Sequence, residues 1–431
     1  MEDIEDFMQS RQTFILLVTI LLIITLLVGF SQSAPSEQSS LPIAQVENVR
    51  DYRSAIVPGG PDYAVDGGRL YVGHPGYWVE IPLPADVIAS AVDVLIEPAV
   101  DAGLAREVIY VGAANQLSLY RTDNRGETWQ HGKLTHDLVH QGVVGGITDI
   151  AVDPVQRLIY AGTDTAGMFR VRDTGAELKS SAQLLLDEPV VQVVTDRQGS
   201  GLTFLRTEWH LYRGEDYGLN WQVVDSLQTI PTALAIAETQ PAALLLGTAE
   251  LGVLRSEDGI TWTPVNSGLM IAPSARLHVD ALAVDPIQPN VAYVAISRLS
   301  GNYYVRHKPD QLAYTRDSGA TWETLEQAEL SAQVTELLPV SGHSAAVYAL
   351  TATSRTPQAL GNAPAAAVPA LVNHSQGEPI TRNSAIAWII AGLAALALGF
   401  ALIVDLLTRP EVPLSGSAQF EPRPVRRNRW S

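Results

Sequence analysis

The sequence predicts an all-β protein: a six-bladed β-propeller, or a seven-bladed one if residues 46–63 contribute strands, flanked by two transmembrane helices. A short motif occurs four times at the same point of a longer repeat. Each repeat is about 40–50 residues long and contains four short apolar segments, which is typical of a propeller blade. An apolar run also lies near each end of the chain, the first without charge and the second with one acid, Asp405.

The four copies of the motif read approximately Ser/Thr-x-Asp-x-Gly-x-Thr-Trp and span residues 122–129, 214–221, 256–262 and 315–322. In a tight turn, Asp accepts hydrogen bonds from unpaired backbone N–H groups, and Gly adopts a backbone angle that other residues avoid. The Trp begins the next strand and covers its neighbour with a large apolar face. We expect a structural role for Asn124, Gly126, Trp129, Asp216, Gly218, Trp221, Asp258, Gly259, Trp262, Asp317, Gly319 and Trp322.

Residues upstream of the motif repeat as well. The segment 162–170 matches 247–255 at Gly-Thr-x-x-x-Gly-x-x-Arg, and Ala-Val-Asp-Pro occurs at 151–154 and 283–286 with an aliphatic residue before it. One unit therefore consists of four strands joined by an Asp-Pro turn, a Gly-rich turn and the motif turn. The unit that ends near residue 176 keeps this spacing but lacks the Trp.

Five units end near residues 129, 176, 221, 262 and 322. A hairpin over 69–81 precedes them, and two strands at 335–339 and 346–350 follow them. Joining these two remnants into one blade would pair sheet edges that are otherwise open, so we expect six blades closed in this way.

The motif resembles the Asp-box, or bacterial neuraminidase repeat, of sialidases, sortilin-type ectodomains and photosystem II assembly propellers. The resemblance covers about residues 90–350. It implies a propeller in which the Asp of each box lies on the blade rim, away from the ligand face. It does not imply one chemistry, because these families share the turn and not the function. The Arg-Ile-Pro motif of sialidases is absent from the sequence.

The ends of the chain predict membrane anchoring, because Thr13–Phe30 and Ala385–Leu407 are apolar runs near the length that spans a bilayer. The basic tail should stay cytoplasmic by the positive-inside rule, which places the propeller outside. Alternatively, the first run is a signal peptide cleaved near Ser31–Ala34. The expected organisation is a cytoplasmic N-terminus (1–12), a transmembrane helix (13–30), a linker (31–45), the propeller (46–354), a Pro/Ala-rich stalk (355–382), a second transmembrane helix (383–407) and a cytoplasmic tail (408–431).

Composition narrows the classes of partner. Of the 46 acidic and 28 basic residues, 39 and 22 lie between the two apolar runs, so the exported part carries a net charge near −17. This charge argues against nucleic acid and anionic lipid as partners. The chain has no cysteine, so its stability must come from its core.

One insertion is the expected partner-binding site. Between residues 298 and 311, an otherwise acidic domain gathers basic and aromatic side chains of the kind that anchor protein–protein contacts. The alternative is a hairpin extension that covers a neighbouring blade. The candidate residues are Arg298, Tyr303, Tyr304, Arg306, His307 and Lys308.

The sequence gives weaker evidence for a metal site or a catalytic site. His131, His136 and His140 only superficially resemble a zinc-protease helix, and we expect no metal site and no cofactor. Asp164 and Glu250 lie on comparable turns of different blades and are the acid pair that a glycoside hydrolase would need. We expect a non-catalytic protein-binding or assembly module, with a glycan-active hydrolase or lectin-like binder as the alternative.

Overall fold

Seven antiparallel β-sheets form the blades of a propeller in the described part of the chain. The computed structural model describes residues 46–97, 106–134, 144–184, 186–269, 276–300, 306–325, 332–343 and 345–363. Consecutive strands are neighbours in every sheet, so each blade is a simple meander.

The first four blades contain four strands each. Blade 1 contains β1 (Val49–Arg53), β2 (Asp62–Asp66), β3 (Arg69–His74) and β4 (Tyr77–Ile81). Blade 2 contains β5 (Ala89–Glu97), β6 (Arg106–Ala113), β7 (Ser118–Thr122) and β8 (Gln130–Lys133). Blade 3 contains β9 (Ile147–Asp153), β10 (Leu158–Thr163), β11 (Met168–Asp173) and β12 (Leu178–Leu184). Blade 4 contains β13 (Gln192–Thr195), β14 (Thr203–Arg206), β15 (Leu211–Glu215) and β16 (Asn220–Val223).

The last three blades complete the ring. Blade 5 contains β17 (Pro231–Ala237), β18 (Ala243–Thr248), β19 (Val253–Ser256) and β20 (Thr263–Pro264). Blade 6 contains β21 (Arg276–Val284), β22 (Ala292–Ser300), β23 (Arg306–Thr315) and β24 (Glu323–Thr324). Blade 7 contains three strands, β25 (Val334–Pro339), β26 (Ala346–Thr351) and β27 (Ser354–Gly361).

The hydrophobic core is divided among the interfaces between blades. Seven buried apolar clusters occur, and each joins two neighbouring blades. Tyr110 of blade 2 and Phe169 of blade 3, for example, are fully buried in the same cluster. The second strands of blades 3, 5 and 7 are buried at every position, which explains their continuous apolar sequences.

Our expectation of six blades was wrong, since the ring has seven. Residues 46–63 do contribute strands: they supply β1 and the start of β2. The 69–81 hairpin therefore pairs with β2 in blade 1 and not with β25 or β26. The last blade gains its own third strand, β27, which runs beyond residue 354, where we expected the propeller to end.

Blades 1 and 7 meet at a seam made without a shared strand. Asn48 and Arg355 form an isolated parallel β-bridge, and the Arg355 Nε–H donates to the carbonyl of Val49 at 2.6 Å. The Thr356 hydroxyl donates to the carbonyl of Glu47 at 3.1 Å. A buried apolar cluster that includes Trp78 lies between the same two blades. Ring closure thus depends on side chains and one bridge.

The two expected transmembrane helices, the linker 31–45, most of the stalk and the tail lie outside the described residues. Within the described part of the chain, no helix combines the length and the apolar character that crossing a bilayer requires.

Candidate functional site

The β22–β23 hairpin of blade 6 contains the insertion singled out from the sequence. Its strands have nine and ten residues, whereas the second and third strands of blade 5 have six and four. At its far end Arg298 pairs in register with Lys308, and Leu299 with His307. The hairpin strands of blade 6 are therefore longer than their counterparts in blade 5.

Its side chains divide into paired and exposed groups. Arg298 donates to the Asp310 carboxylate at 2.7 Å, so this cation is neutralised within the hairpin. His307 and Lys308 are exposed. Tyr303, Tyr304 and the side chain of Arg306 lie outside the described residues. The exposed Lys308 contrasts with the acidic chain as a whole.

Three potential metal ligands meet near the far end of this hairpin. The ligand atoms of His278, Asp280 and His307 all lie within 4.8 Å of one another. His278 Nε2 is 3.8 Å from Asp280 Oδ1. The His278 and His307 rings meet edge to face, with their centroids 4.7 Å apart and their planes at 80°.

The surroundings fix the orientation of two of these side chains. His278 Nδ1 lies 3.2 Å from the backbone carbonyl of Ala249 in blade 5, to which it can donate. Asp280 accepts hydrogen bonds from Ser297 Oγ at 2.5 Å and Gln333 Nε2 at 2.7 Å. Burial raises the pKa of Asp280, although these hydrogen bonds oppose the rise. Burial lowers the pKa of His278, against the pull of the Asp280 carboxylate.

Sequence reasoning missed this cluster and considered a different group of histidines. His278 and Asp280 lie two residues apart on the inner strand β21, and the register of β21 with β22 shifts at Asp280. Such a bulge redirects a side chain, and sequence alternation cannot predict it. Of the histidines considered from the sequence, His131 stacks on Tyr120, and the other two lie outside the described residues.

The inner strands surround a cavity of about 450 Å³ at the centre of the ring, and acidic and basic side chains line it. Its charged lining includes Asp51, Arg53, Asp93, Asp149, Arg197 and Glu336. Asp149 and Glu336, acids set beside apolar residues of β9 and β25, are the sequence signal that could have located part of this lining.

Three of the inner-strand polar side chains each connect their own blade to the following one. Asp51 accepts the backbone N–H of Val92 in blade 2 at 2.6 Å. Asp149 accepts that of Val193 in blade 4 at 2.7 Å. In the same way, Gln192 accepts the N–H of Leu234 in blade 5 at 3.2 Å and also donates to its carbonyl. These contacts use two central acids and one amide to hold neighbouring inner strands together.

Asp93 is the most heavily engaged acid of this centre. Its carboxylate is buried and lies 3.1 Å from Arg53 Nε of blade 1 and 3.2 Å from Arg197 Nη1 of blade 4. It also accepts the N–H of Val152 in blade 3 at 2.8 Å. One carboxylate of blade 2 therefore joins three other blades.

Burial shifts the pKa values of other acids at the centre of the ring. It raises the pKa of Asp149 to about 7 and that of Glu336 to about 8, and the charge of Asp51 adds to both shifts. Burial also raises the pKa of Asp51 itself, although Arg53 opposes this. The centre of the ring thus contains carboxyl groups that hold protons near neutral pH.

The four repeated turns all connect the third and fourth strands of a blade. In three of them the first Ser or Thr hydroxyl accepts the Gly N–H, at 2.8–3.0 Å in turns 122–129, 256–262 and 315–322. The Asn124, Asp258 and Asp317 side chains each accept a backbone N–H further along the turn. Trp129 and Trp322 donate to backbone carbonyls near the end of the preceding blade.

The 214–221 turn differs because Gly214 replaces the hydroxyl residue. Asp216 and Tyr217 both adopt left-handed backbone angles, with φ of 50° and 56°. Asp216 accepts the side-chain amide of Asn220 at 2.9 Å, and Trp221 donates to the carbonyl of Gly218 in its own turn. A turn without the first hydroxyl therefore folds differently.

The acid pair considered for glycan hydrolysis is engaged locally. Asp164 accepts the N–H of Gly146 at 2.8 Å. Glu250 forms an ion pair with Arg276 at 2.7 Å. Both carboxylates are thus occupied by contacts within the fold.

Comparison with known proteins supports the fold. No protein-family model and no curated protein matches the chain. Among solved structures, the GH74 xyloglucanase from Xanthomonas campestris matches 74% of this chain with 20% identity and a TM-score of 0.50. The match covers 52% of the xyloglucanase, so the chain spans about half the length of that protein.

Two further structures resemble the chain less closely. The GH74 enzyme from Niastella koreensis matches 72% of this chain and 70% of its own at 12% identity and a TM-score of 0.39. An extracellular domain from B. thetaiotaomicron matches 74% of this chain and 38% of its own at 9% identity and a TM-score of 0.45. At 20% identity, the match to the xyloglucanase describes a shared propeller architecture.

Proposed function

We propose that this chain is a membrane-anchored, extracytoplasmic propeller of the Asp-box type that acts as a non-catalytic protein-binding or complex-assembly module. The observation that carries the proposal is the elongated β22–β23 hairpin, which exposes His307 and Lys308 at its far end. Basic and aromatic residues at the far end of an elongated hairpin are suited to contact a partner protein. The partner surface would be acidic around Lys308.

The use of the central acids also favours a non-catalytic role. Asp51, Asp93 and Asp149 accept backbone N–H groups of neighbouring blades. Carboxylates committed in this way stabilise the ring and are poorly placed to transfer protons to a substrate. The apolar runs near both ends, 13–30 and 385–407, support the proposed anchoring.

The test is purification of the full-length chain from its native membrane, followed by mass spectrometry of proteins that co-elute stoichiometrically. Reversing two charges of the hairpin, Arg306→Glu with Lys308→Glu, should remove the partner while leaving the propeller folded. Lys179→Glu is the matched control, because Lys179 is an exposed cation of blade 3. A partner that stays bound to the hairpin variant would contradict the proposal.

A glycan-active hydrolase is the second candidate, favoured by the raised pKa values of Asp149 and Glu336 in the central cavity. Glycoside hydrolysis needs one protonated and one ionised carboxyl group across the scissile bond. If the purified chain cleaves β-glucans or sialosides and Asp149→Asn abolishes the activity, this second candidate replaces the first.

A further inference from the structure

We propose that His278, Asp280 and His307 form a binding site for a divalent transition-metal ion of the zinc class, near the far end of the β22–β23 hairpin. The proposal goes beyond the binding function proposed above and does not depend on it. It also reverses the expectation from the sequence that the chain has no metal site.

The donor set matches such an ion. Two imidazole nitrogens and one carboxylate oxygen are the ligands that Zn²⁺ and its neighbours prefer, whereas Ca²⁺ and Mg²⁺ prefer oxygen ligands alone. A tetrahedral site with metal–ligand distances of about 2.0–2.1 Å places its ligand atoms about 3.3 Å apart. The 3.8 Å between His278 Nε2 and Asp280 Oδ1 is already near this value.

The third ligand can complete the geometry by a small movement. The ligand atoms of the three residues lie within 4.8 Å of one another, so His307 needs a shift of on the order of 1 Å. His307 is exposed and second in its strand. Its exposure also leaves the side of the site away from β21 open to water or to a further ligand.

The surrounding hydrogen bonds are those of a prepared site. Donation from His278 Nδ1–H to the Ala249 carbonyl leaves the Nε2 lone pair free to face the ion. Ser297 and Gln333 hold the buried Asp280 carboxylate in place. Metal-binding histidines usually donate their second N–H to a carbonyl or carboxylate, and metal-binding carboxylates usually accept further hydrogen bonds.

A metal ion bound at this site would connect two strands of blade 6 that do not pair with each other. His278 and Asp280 lie on the inner strand β21, and His307 lies on the third strand β23. Both flank β22, and the site also contacts blade 5 through Ala249 and blade 7 through Gln333. A bound ion would therefore fix the far end of the hairpin against the inner strand of blade 6.

The experiment measures binding of Zn²⁺ to the purified, chelator-stripped full-length chain by calorimetry, and of Co²⁺ by its visible absorption spectrum. We expect one ion bound with micromolar or tighter affinity and a rise in melting temperature with Zn²⁺. Loss of an outer partner of a metal ligand weakens binding about 10–100-fold. Removing a ligand itself, in His307→Ala, should therefore weaken binding at least about tenfold.

His131→Ala is the matched control, because His131 is an exposed histidine of blade 2. It should bind Zn²⁺ as the wild type does. Asp280→Asn keeps the size of the side chain and should also weaken binding. The proposal is overturned if the wild type binds no ion, or if His307→Ala binds as tightly and gains as much thermal stability with Zn²⁺ as the wild type.

Discussion

At the scale of single residues, the repeated turns show how one side chain sets a local backbone path. In the 256–262 turn, the Asp258 carboxylate accepts the backbone N–H groups of Ile260 and Thr261, both at 2.8 Å. The hydrogen bonds from Thr261 and Ile260 lower the pKa of Asp258 to about 2. The charged form of this side chain is therefore favoured in the folded protein.

Asp258→Ala should lower the free energy of unfolding by about 1 kcal/mol, the usual value of such a hydrogen bond. Glu257→Ala removes the same charge from the adjacent exposed residue, which pairs only with Arg255 at the surface among its described contacts. This control substitution should lower the free energy of unfolding by less than about 0.5 kcal/mol. Urea denaturation of both variants checks the difference, and equal losses would mean that the turn does not depend on its acid.

Turn residues could be predicted from the sequence because their chemistry is local. Thr315, Asp317 and Gly319 bond to one another within five residues, so a short motif contains all the information. The central acids could not be assigned in this way, because Asp93 meets Arg197 across 104 positions of the chain.

At the scale of strands and blades, close packing depends on glycine at repeated positions. Gly112, Gly162 and Gly247 each occupy a second strand and face apolar side chains of the next blade. A Cβ atom added to Gly247 would lie 2.5 Å from Val279 Cγ1. The Gly-Thr repeat noted in the sequence thus reflects the approach of one blade to the next.

Gly247→Ala should therefore destabilise the protein by about 1–3 kcal/mol, as overpacking of a core does. Val279→Ala in the same chain should recover part of this loss, because it removes the methyl groups that the new Cβ meets. A double-mutant cycle by chemical denaturation measures the coupling. Strictly additive losses would show that the two residues do not compete for space.

Strands were predictable in most blades, because their apolar segments recur with the same spacing. Blade 1 was not recognised as complete, because Val49–Arg53 carries charged residues at three of its five positions and lacks an Asp-Pro turn. The metal-ligand cluster was not predictable either, since His278 and His307 meet only through the pairing of β21, β22 and β23.

At the scale of the whole molecule, the ring is held from its centre. Asp93 contacts Arg53, Arg197 and the backbone of Val152, so four blades share one carboxylate. This acid is buried, and the two guanidinium groups compensate its charge.

Asp93→Asn should lower the free energy of unfolding by about 3–5 kcal/mol, the usual cost of breaking a buried ion pair. The substitution leaves Arg53 and Arg197 in the central cavity without the carboxylate that neutralises both. Arg197→Met should cost less, because Arg53 still pairs with Asp93. Urea denaturation compares the two variants. If Asp93→Asn is as stable as the wild type, the central ion pairs do not hold the ring.

Stability should also depend on pH through the same centre. In the folded protein the pKa values of Asp149 and Glu336 are about 7 and 8, whereas free side chains titrate near about 4. The folded state thus holds protons that the unfolded chain has released. The contribution of these two groups to the free energy of unfolding is fully present below about pH 4. It is lost as the pH rises through 7 and 8.

The melting temperature should therefore fall between about pH 5 and pH 9. Asp149→Asn and Glu336→Gln should each flatten this decline, while Glu257→Gln, an exposed change, should leave its slope unaltered. Thermal unfolding followed by circular dichroism across this range is the measurement. A melting temperature that rises with pH would contradict the conclusion that Asp149 and Glu336 are protonated in the central cavity.

The seam between blades 1 and 7 has a mechanical consequence. The chain enters the ring beside Glu47 and leaves its last blade after β27, whose Thr356 bonds to Glu47. Tension applied through both flanking segments would therefore be carried across the contacts of Arg355, Asn48 and their apolar neighbours. With no strand shared between the two blades, this junction would yield first under load, before any blade lost its own sheet.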